Sequence, residues 1–147
     1  MWLGLTALLV VLVTVGLFYT MARPPELGSQ EDLGGQIDAL DLPPSLIQLD
    51  ESYVVDCPSI GPCPSLVRWY DTTAPAEIVR AEIISHMNAA DVEVNENSVN
   101  RGIFVGRDDK YIYFVVLDTD MIAGNRHAPP GTKVEISIHV LQETQRL

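Results

Sequence analysis

Basic residues are scarce in this chain: nine Lys and Arg stand against twenty Asp and Glu, a formal net charge of −11 at pH 7. A nucleic-acid backbone attracts a basic face, and none is visible here, so the composition argues against a nucleic-acid partner. The sequence also lacks a Gly-rich phosphate loop, a G-x-S-x-G nucleophile elbow and an H-E-x-x-H zinc motif. No cofactor is therefore predicted.

Charge of either sign is missing from the first part of the chain. The stretch from Trp2 to Met21 holds twenty residues without one charged side chain. As a helix it would span roughly 30 Å, the thickness of a bilayer's hydrocarbon core. It predicts a transmembrane anchor over residues 1–22. The alternative is a cleaved secretory signal, but no basic residue precedes the apolar run and Thr20-Met21-Ala22 is a poor cleavage site.

The orientation of this anchor rests on conflicting signals. Arg23 is the one basic residue flanking the helix, and the positive-inside rule would keep the side that carries it in the cytoplasm. The cysteine pair and the acidic segment further along favour export instead. We therefore expect a single-pass membrane protein with residues 23–147 outside the cytoplasm.

The segment 23–50 has the composition of a linker. It contains four prolines, three glycines and six acidic residues, with no sustained helical or strand period. Such a composition buries little apolar surface and predicts a flexible, self-repelling spacer. Its last part, DLPPSLIQL, leaves a second possibility open: Leu46, Ile47 and Leu49 would dock on the following domain as an edge segment.

One small α+β domain is expected over residues 51–147. Pro75 to Ala90 carries apolar side chains at helical spacing and predicts an amphipathic helix. The stretches around Val92, over 101–106 and 111–117, and the alternating run Lys133 to Leu141 predict strands, with GRDDK as a hairpin turn. The economical architecture is one helix packed on an antiparallel sheet of three to four strands.

The two cysteines, Cys57 and Cys63, lie in the turn-rich stretch DCPSIGPCPS. A structural zinc site needs four ligands, and a redox pair needs Cys-x-x-Cys at a helix start, so neither reading fits. A cysteine nucleophile would need a positioned histidine. A disulfide is favoured, because the domain is expected outside the cytoplasm. Closing this short loop would contribute about 2–2.5 kcal/mol.

Four further residues are candidates for binding. Asp118 and Asp120 place two carboxylates at the end of a strand, although the D-x-D-x-D-G spacing of a calcium loop is absent and plain turn residues are the alternative. Arg126 and His127 lie in the long loop MIAGNRHAPPG and would suit an anionic group. No metal site is predicted.

The layout of anchor, spacer and small domain predicts a function without catalysis. We expect a membrane-anchored extracytoplasmic binding or accessory domain with a protein partner, including the case of a small subunit in a membrane complex. The alternative is a small exported hydrolase or metal-dependent enzyme that uses Asp118, Asp120 and His127.

Overall fold

The computed structural model describes residues 26–55, 64–95, 102–117 and 119–141. Within these ranges the chain forms three α-helices and six β-strands, which confirms the α+β class. In chain order they are α1 Gln30–Ala39, β1 Ile47–Val54, β2 Ser65–Asp71, α2 Ala76–Ala89, β3 Glu93–Asn95, β4 Ile103–Arg107, β5 Tyr111–Val116, α3 Thr119–Gly124 and β6 Val134–Val140.

The strands form one antiparallel sheet in the order β1-β2-β6-β5-β4-β3. The prediction of three to four strands was too low, because β1 and β2 were not recognised. β2 was not predicted because its sequence lacks the alternation of a half-buried strand. Three successive residues, Arg68, Trp69 and Tyr70, are all buried. The predicted strand over 111–117 is confirmed as β5, which lies inside the sheet between β6 and β4.

Part of the segment predicted as a flexible linker over 23–50 is folded. Residues 30–39 form α1, which begins at Ser29, whose hydroxyl accepts a hydrogen bond from the backbone N–H of Asp32 at 3.1 Å. Leu33, Ile37 and Leu40 are buried in the core. The linker prediction was wrong for this stretch because three apolar residues at helical spacing bury enough surface to order it, despite the acidic, glycine-containing composition.

The predicted amphipathic helix is confirmed as α2, and its buried residues are Val79, Ile83 and Met87. The helix lies close to the sheet at Gly106 of β4, where a side-chain β-carbon would collide with the side chain of Met87. A larger residue here would force the side chains of Met87 and Val92 to shift, so the close packing over the strand favours glycine.

The two faces of the sheet are covered to different extents. The buried residues of α1 and α2 share one core with the side chains on one face of the sheet, among them Leu66, Tyr113 and Ile136. On the other face, α3 contacts β6, and both Ile122 of α3 and Trp69 of β2 are buried. The indole N–H of Trp69 donates to the carboxylate of Glu135 at 2.8 Å.

No helix in the described ranges is long and apolar enough to cross a membrane. The predicted anchor, Trp2 to Met21, lies outside those ranges. Cys57 and Cys63 lie outside them as well, so the anchor and the disulfide stay predictions.

Candidate functional site

Three of the candidate binding residues, Asp120, Arg126 and His127, lie in one stretch of the chain, in α3 and the loop that follows it. Asp120 is exposed in the first turn of α3, and Arg126 and His127 are exposed in the loop that follows. The backbone N–H of His127 donates to the side-chain oxygen of Asn125 at 3.0 Å, a local turn contact. Asp118 lies outside the described residues. In the part of the chain that is described, no group of three or more His, Cys, Asp or Glu is arranged to hold a metal ion.

Exposed apolar side chains are instead concentrated at the β1 end of the sheet. Ile47 is 62% exposed, Leu49 40% and Val54 38%, and Val55, which follows the strand, is 60% exposed. Leu27 is also exposed, and its neighbour Gly28 accepts a hydrogen bond from the Tyr53 hydroxyl at 2.8 Å. Isolated exposed apolar residues are ordinary on a protein surface, but here four of them lie along or directly after one strand, at its two ends, which makes this strand a candidate interaction surface.

β1 is also an edge of the sheet, because among the described strands it pairs only with β2. An edge strand presents backbone N–H and C=O groups that another chain can pair with. The register with β2 shifts between Gln48 and Asp50, so Leu49 is an extra residue at this point. At eight residues β1 is longer than the opposite edge strand, β3, which has three. β1 is thus the longer of the two edges available for pairing.

The helix-facing side of β1 carries an ion cluster around the buried Arg68, in which Glu51 is half-buried and Asp38 is exposed. Arg68 of β2 donates from Nη1 to Asp38 at 2.5 Å and from Nε to Glu51 at 2.6 Å. The side chain of Gln30 donates to the other carboxylate oxygen of Glu51 at 2.9 Å. Burial by itself would lower the pKa of Arg68, but its hydrogen bonds to Asp38 and then Glu51 outweigh that effect and raise its pKa. The guanidinium therefore stays charged and holds α1 against β1 and β2.

Next to this cluster lies an open recess of about 600 Å³. Its walls carry three carboxylates, those of Glu31, Asp38 and Glu51, against the single guanidinium of Arg68. The recess is therefore acidic and lies beside the helix-facing side of β1. With the exposed apolar residues of the strand, it defines what we call the β1 edge site: residues 47–55 and the recess.

Two adjacent glycines of α1 also line the recess. A β-carbon on Gly34 would lie 3.2 Å from Nη2 of Arg68, so the close packing of the guanidinium accounts for that glycine. A β-carbon on Gly35 would meet nothing within 4 Å. Glycine inside a helix is less favourable than alanine by about 1 kcal/mol, and local packing does not account for this second one.

The N-terminus of α1 is fixed to the sheet by a second polar cluster. The carboxylate of Asp32, which is 9% exposed, accepts hydrogen bonds from the Tyr111 hydroxyl and from the backbone N–H of Gly28. Burial, followed by the bond to Asp32, raises the pKa of Tyr111. Together with the Arg68 cluster, this contact fixes both ends of α1 beside the β1 edge site.

A second recess, of about 490 Å³, lies beside the turn between β4 and β5. Its lining combines acidic residues such as Asp91 and Glu93 with the basic residues Arg107 and Lys110. Its four carboxylates, those of Asp91, Glu93, Asp108 and Asp109, outnumber its basic groups by two, as the three carboxylates of the β1 recess outnumber its one guanidinium by two, so net charge alone does not distinguish the two recesses.

Most of the β1 edge site is not predicted from the sequence, although the sequence contains local patterns typical of helix α1. Ser29 is a helix-capping residue followed by acids in the first turn, and Leu33 and Ile37 continue at helical spacing. The glycine pair and the acidic composition obscured that pattern. One of the two possibilities for the stretch DLPPSLIQL, an edge segment that includes Ile47 and Leu49, agrees with the structure. Both residues lie in the edge strand β1.

No protein-family model, curated protein or solved structure matches this chain. What the site does is therefore argued from its own geometry.

Proposed function

We propose that this chain is a membrane-anchored binding or accessory domain, held outside the cytoplasm and without catalysis of its own. The observation that carries the proposal is the set of exposed apolar side chains at Ile47, Leu49, Val54 and Val55, on and directly after a strand whose outer side pairs with no other described strand. A surface of this kind is suited to binding another protein chain.

The anchor and the binding site support one another in this proposal. The uncharged run from Trp2 to Met21 would keep the domain at a membrane surface. A partner in the same membrane would then be confined to the same surface. A partner that is itself a membrane protein would make this chain a small subunit of a membrane complex. Extraction in mild detergent followed by native mass measurement separates that case from a free monomer.

The enzymatic alternative has less support from the geometry. Asp120 and His127 are both exposed, whereas catalytic groups usually converge in a concave, partly water-excluding pocket. The β1 edge site has the features of a surface for another chain, and this favours the binding function.

The test is photo-crosslinking in the cells that produce the protein. A photoreactive amino acid is placed at Leu49, and in a matched control at Ile78, which is 51% exposed on α2. We expect a covalent adduct with one defined protein from position 49 and none from position 78. Absence of an adduct at position 49, or equal labelling from both positions, would contradict a binding role for this edge.

The proposed location is tested separately. A membrane-impermeant protease added to intact cells is expected to remove the domain, because residues 23–147 are proposed to lie outside the cytoplasm. A full-length band that persists under these conditions, and disappears once the membrane is opened, would reverse the orientation.

A further inference from the structure

The charges around β1 specify the kind of chain that would pair with it. Asp50 and Glu51 are adjacent at the centre of the strand. Glu51 pairs with Arg68 on the helix-facing side, whereas Asp50 pairs in register with Trp69 and points to the other side, where it is exposed. The recess adds the carboxylates of Glu31 and Asp38 on the helix-facing side. The middle of the strand therefore carries excess negative charge on both sides.

The apolar side chains lie at the two ends of the strand. Ile47 and Leu49 are exposed at one end, and Val54 and Val55 at the other. An added strand that follows β1 residue by residue would meet apolar surface first, then carboxylates, then apolar surface again. β1 extends over about 26 Å at 3.3 Å per residue, so such a strand would be about eight residues long.

A second copy of this chain does not fit this pattern. Antiparallel pairing of β1 with β1 of a copy, centred on Asp50 or on Glu51, would place that carboxylate opposite its own counterpart, because directly opposite residues share a face of the sheet. Like charges directly opposite one another destabilise a strand pair, and each chain also has a net charge of −11. The charge pattern selects a partner of opposite sign.

We propose that the β1 edge site binds an extended segment of a partner protein that has apolar residues at both ends and basic residues at its centre. The segment adds to the sheet as a seventh strand beside β1. Its backbone pairs with the outer edge of β1, one basic side chain reaches the recess at Asp38, and the next lies beside Asp50. The Asp50 carboxylate accepts a hydrogen bond from the backbone N–H of Glu51 at 2.8 Å, and the segment displaces that contact as the carboxylate turns to the basic side chain. Because it specifies the partner's chemistry, this inference depends on the proposed binding function.

The test uses the full chain in nanodiscs of zwitterionic lipid and a labelled eight-residue peptide with valines at both ends and two adjacent arginines at its centre. We expect saturable binding, which Asp50→Lys weakens by about tenfold. Glu93→Lys is the matched control: it makes the same change of charge at an exposed position on the opposite edge strand, β3, and we expect less than about a twofold effect there.

Two further measurements do not depend on any variant folding correctly. A peptide that is N-methylated at alternate backbone nitrogens cannot pair along one edge, and we expect it to lose binding. Hydrogen exchange should slow in residues 47–54 when the unmodified peptide binds, and stay unchanged in residues 93–95.

Several results would overturn the inference. Equal weakening by Asp50→Lys and Glu93→Lys would show general attraction to an acidic protein. Equal binding of a peptide with glutamates in place of the arginines would refute the charge pattern, and unchanged exchange in β1 would refute strand addition. If the peptide fails to bind while Leu49 still crosslinks to one protein in cells, this partner chemistry is wrong and the proposed binding function stands. If Leu49 gives no adduct, the binding function itself fails.

Discussion

The Tyr111 hydroxyl lies 2.9 and 2.8 Å from the two carboxylate oxygens of Asp32 and donates its hydrogen to that carboxylate. The two residues are 79 positions apart in the sequence, so this contact joins the N-terminus of α1 to the interior strand β5. Asp32 is buried, and a buried carboxylate is stable only where hydrogen bonds replace those it made with water.

Tyr111→Phe is expected to lower the free energy of unfolding by about 1.5–3 kcal/mol, because it removes a hydrogen bond to a charged, buried acceptor. Tyr53→Phe is the matched control, since its hydroxyl donates to the neutral backbone carbonyl of Gly28. For that change we expect about 0.5–1.5 kcal/mol. Urea denaturation of both variants, followed by tryptophan fluorescence, measures the difference. Equal losses would show that the charge of Asp32 adds nothing.

Stability is expected to fall in alkaline solution because burial raises the pKa values of Tyr70, Tyr111 and Tyr113 in the folded state. The unfolded chain releases each phenolic proton near pH 10, whereas the folded chain retains it to a higher pH. The stabilisation is therefore complete below about pH 10 and is lost as the pH rises from there towards the folded pKa values.

Above about pH 10, each of these tyrosines lowers the free energy of unfolding by up to about 1.4 kcal/mol per pH unit. Urea denaturation at a series of pH values between 8 and 11 measures it. Tyr113→Phe should make the decline shallower, because one titrating group is removed. A free energy of unfolding that is constant up to pH 11 would contradict the burial of these side chains.

Ile37→Ala tests whether α1 belongs to the folded domain. Ile37 is 1% exposed, and removing buried methyl groups from a core costs about 2–5 kcal/mol. Ile78→Ala, at an exposed position of α2, is expected to change the free energy of unfolding by less than about 0.5 kcal/mol. If α1 were a flexible spacer, both variants would unfold like the unmodified chain.

Gly35→Ala is expected to stabilise the domain by about 0.5–1 kcal/mol, because alanine favours the helix and its β-carbon would meet open space. Gly34→Ala is expected to raise the free energy of unfolding by less, because its β-carbon would lie 3.2 Å from the guanidinium of Arg68. Thermal unfolding of both variants compares them. A gain from Gly34→Ala as large as that from Gly35→Ala would show that Arg68 moves aside freely.

Replacing Cys57 and Cys63 by serine is expected to lower the free energy of unfolding by about 1–3 kcal/mol, because a short loop would lose its crosslink. Partner binding measured well below the transition should persist. Thiol labelling of protein taken from its native compartment, without reductant, gives a direct check. Two free thiols would refute the disulfide, and loss of function with an unchanged melting curve would favour a metal or thiol role.

Local sequence patterns by themselves determined α2 and the strands β4, β5 and β6. In α2 and β6 the apolar residues recur at the period of the element that forms, as in the alternation of β6 from Val134 to Val140, whereas β4 and β5 are short apolar runs on either side of a turn. The hairpin between β4 and β5 followed from the turn residues of GRDDK. These features depend on contacts between residues close in sequence, which a local pattern can record.

Only the tertiary structure decided the rest. The segment that forms α1 has the composition of a spacer. It is helical because Leu33 and Ile37 pack into the core against the apolar face of the sheet. Arg68 is buried because Asp38 and Glu51, 30 and 17 residues away in sequence, reach it from α1 and β1. β1 is outermost among the described strands because β6 takes the other side of β2 and pairs in turn with β5. Which strands become neighbours depends on the burial of the whole sheet, and no local period encodes that choice.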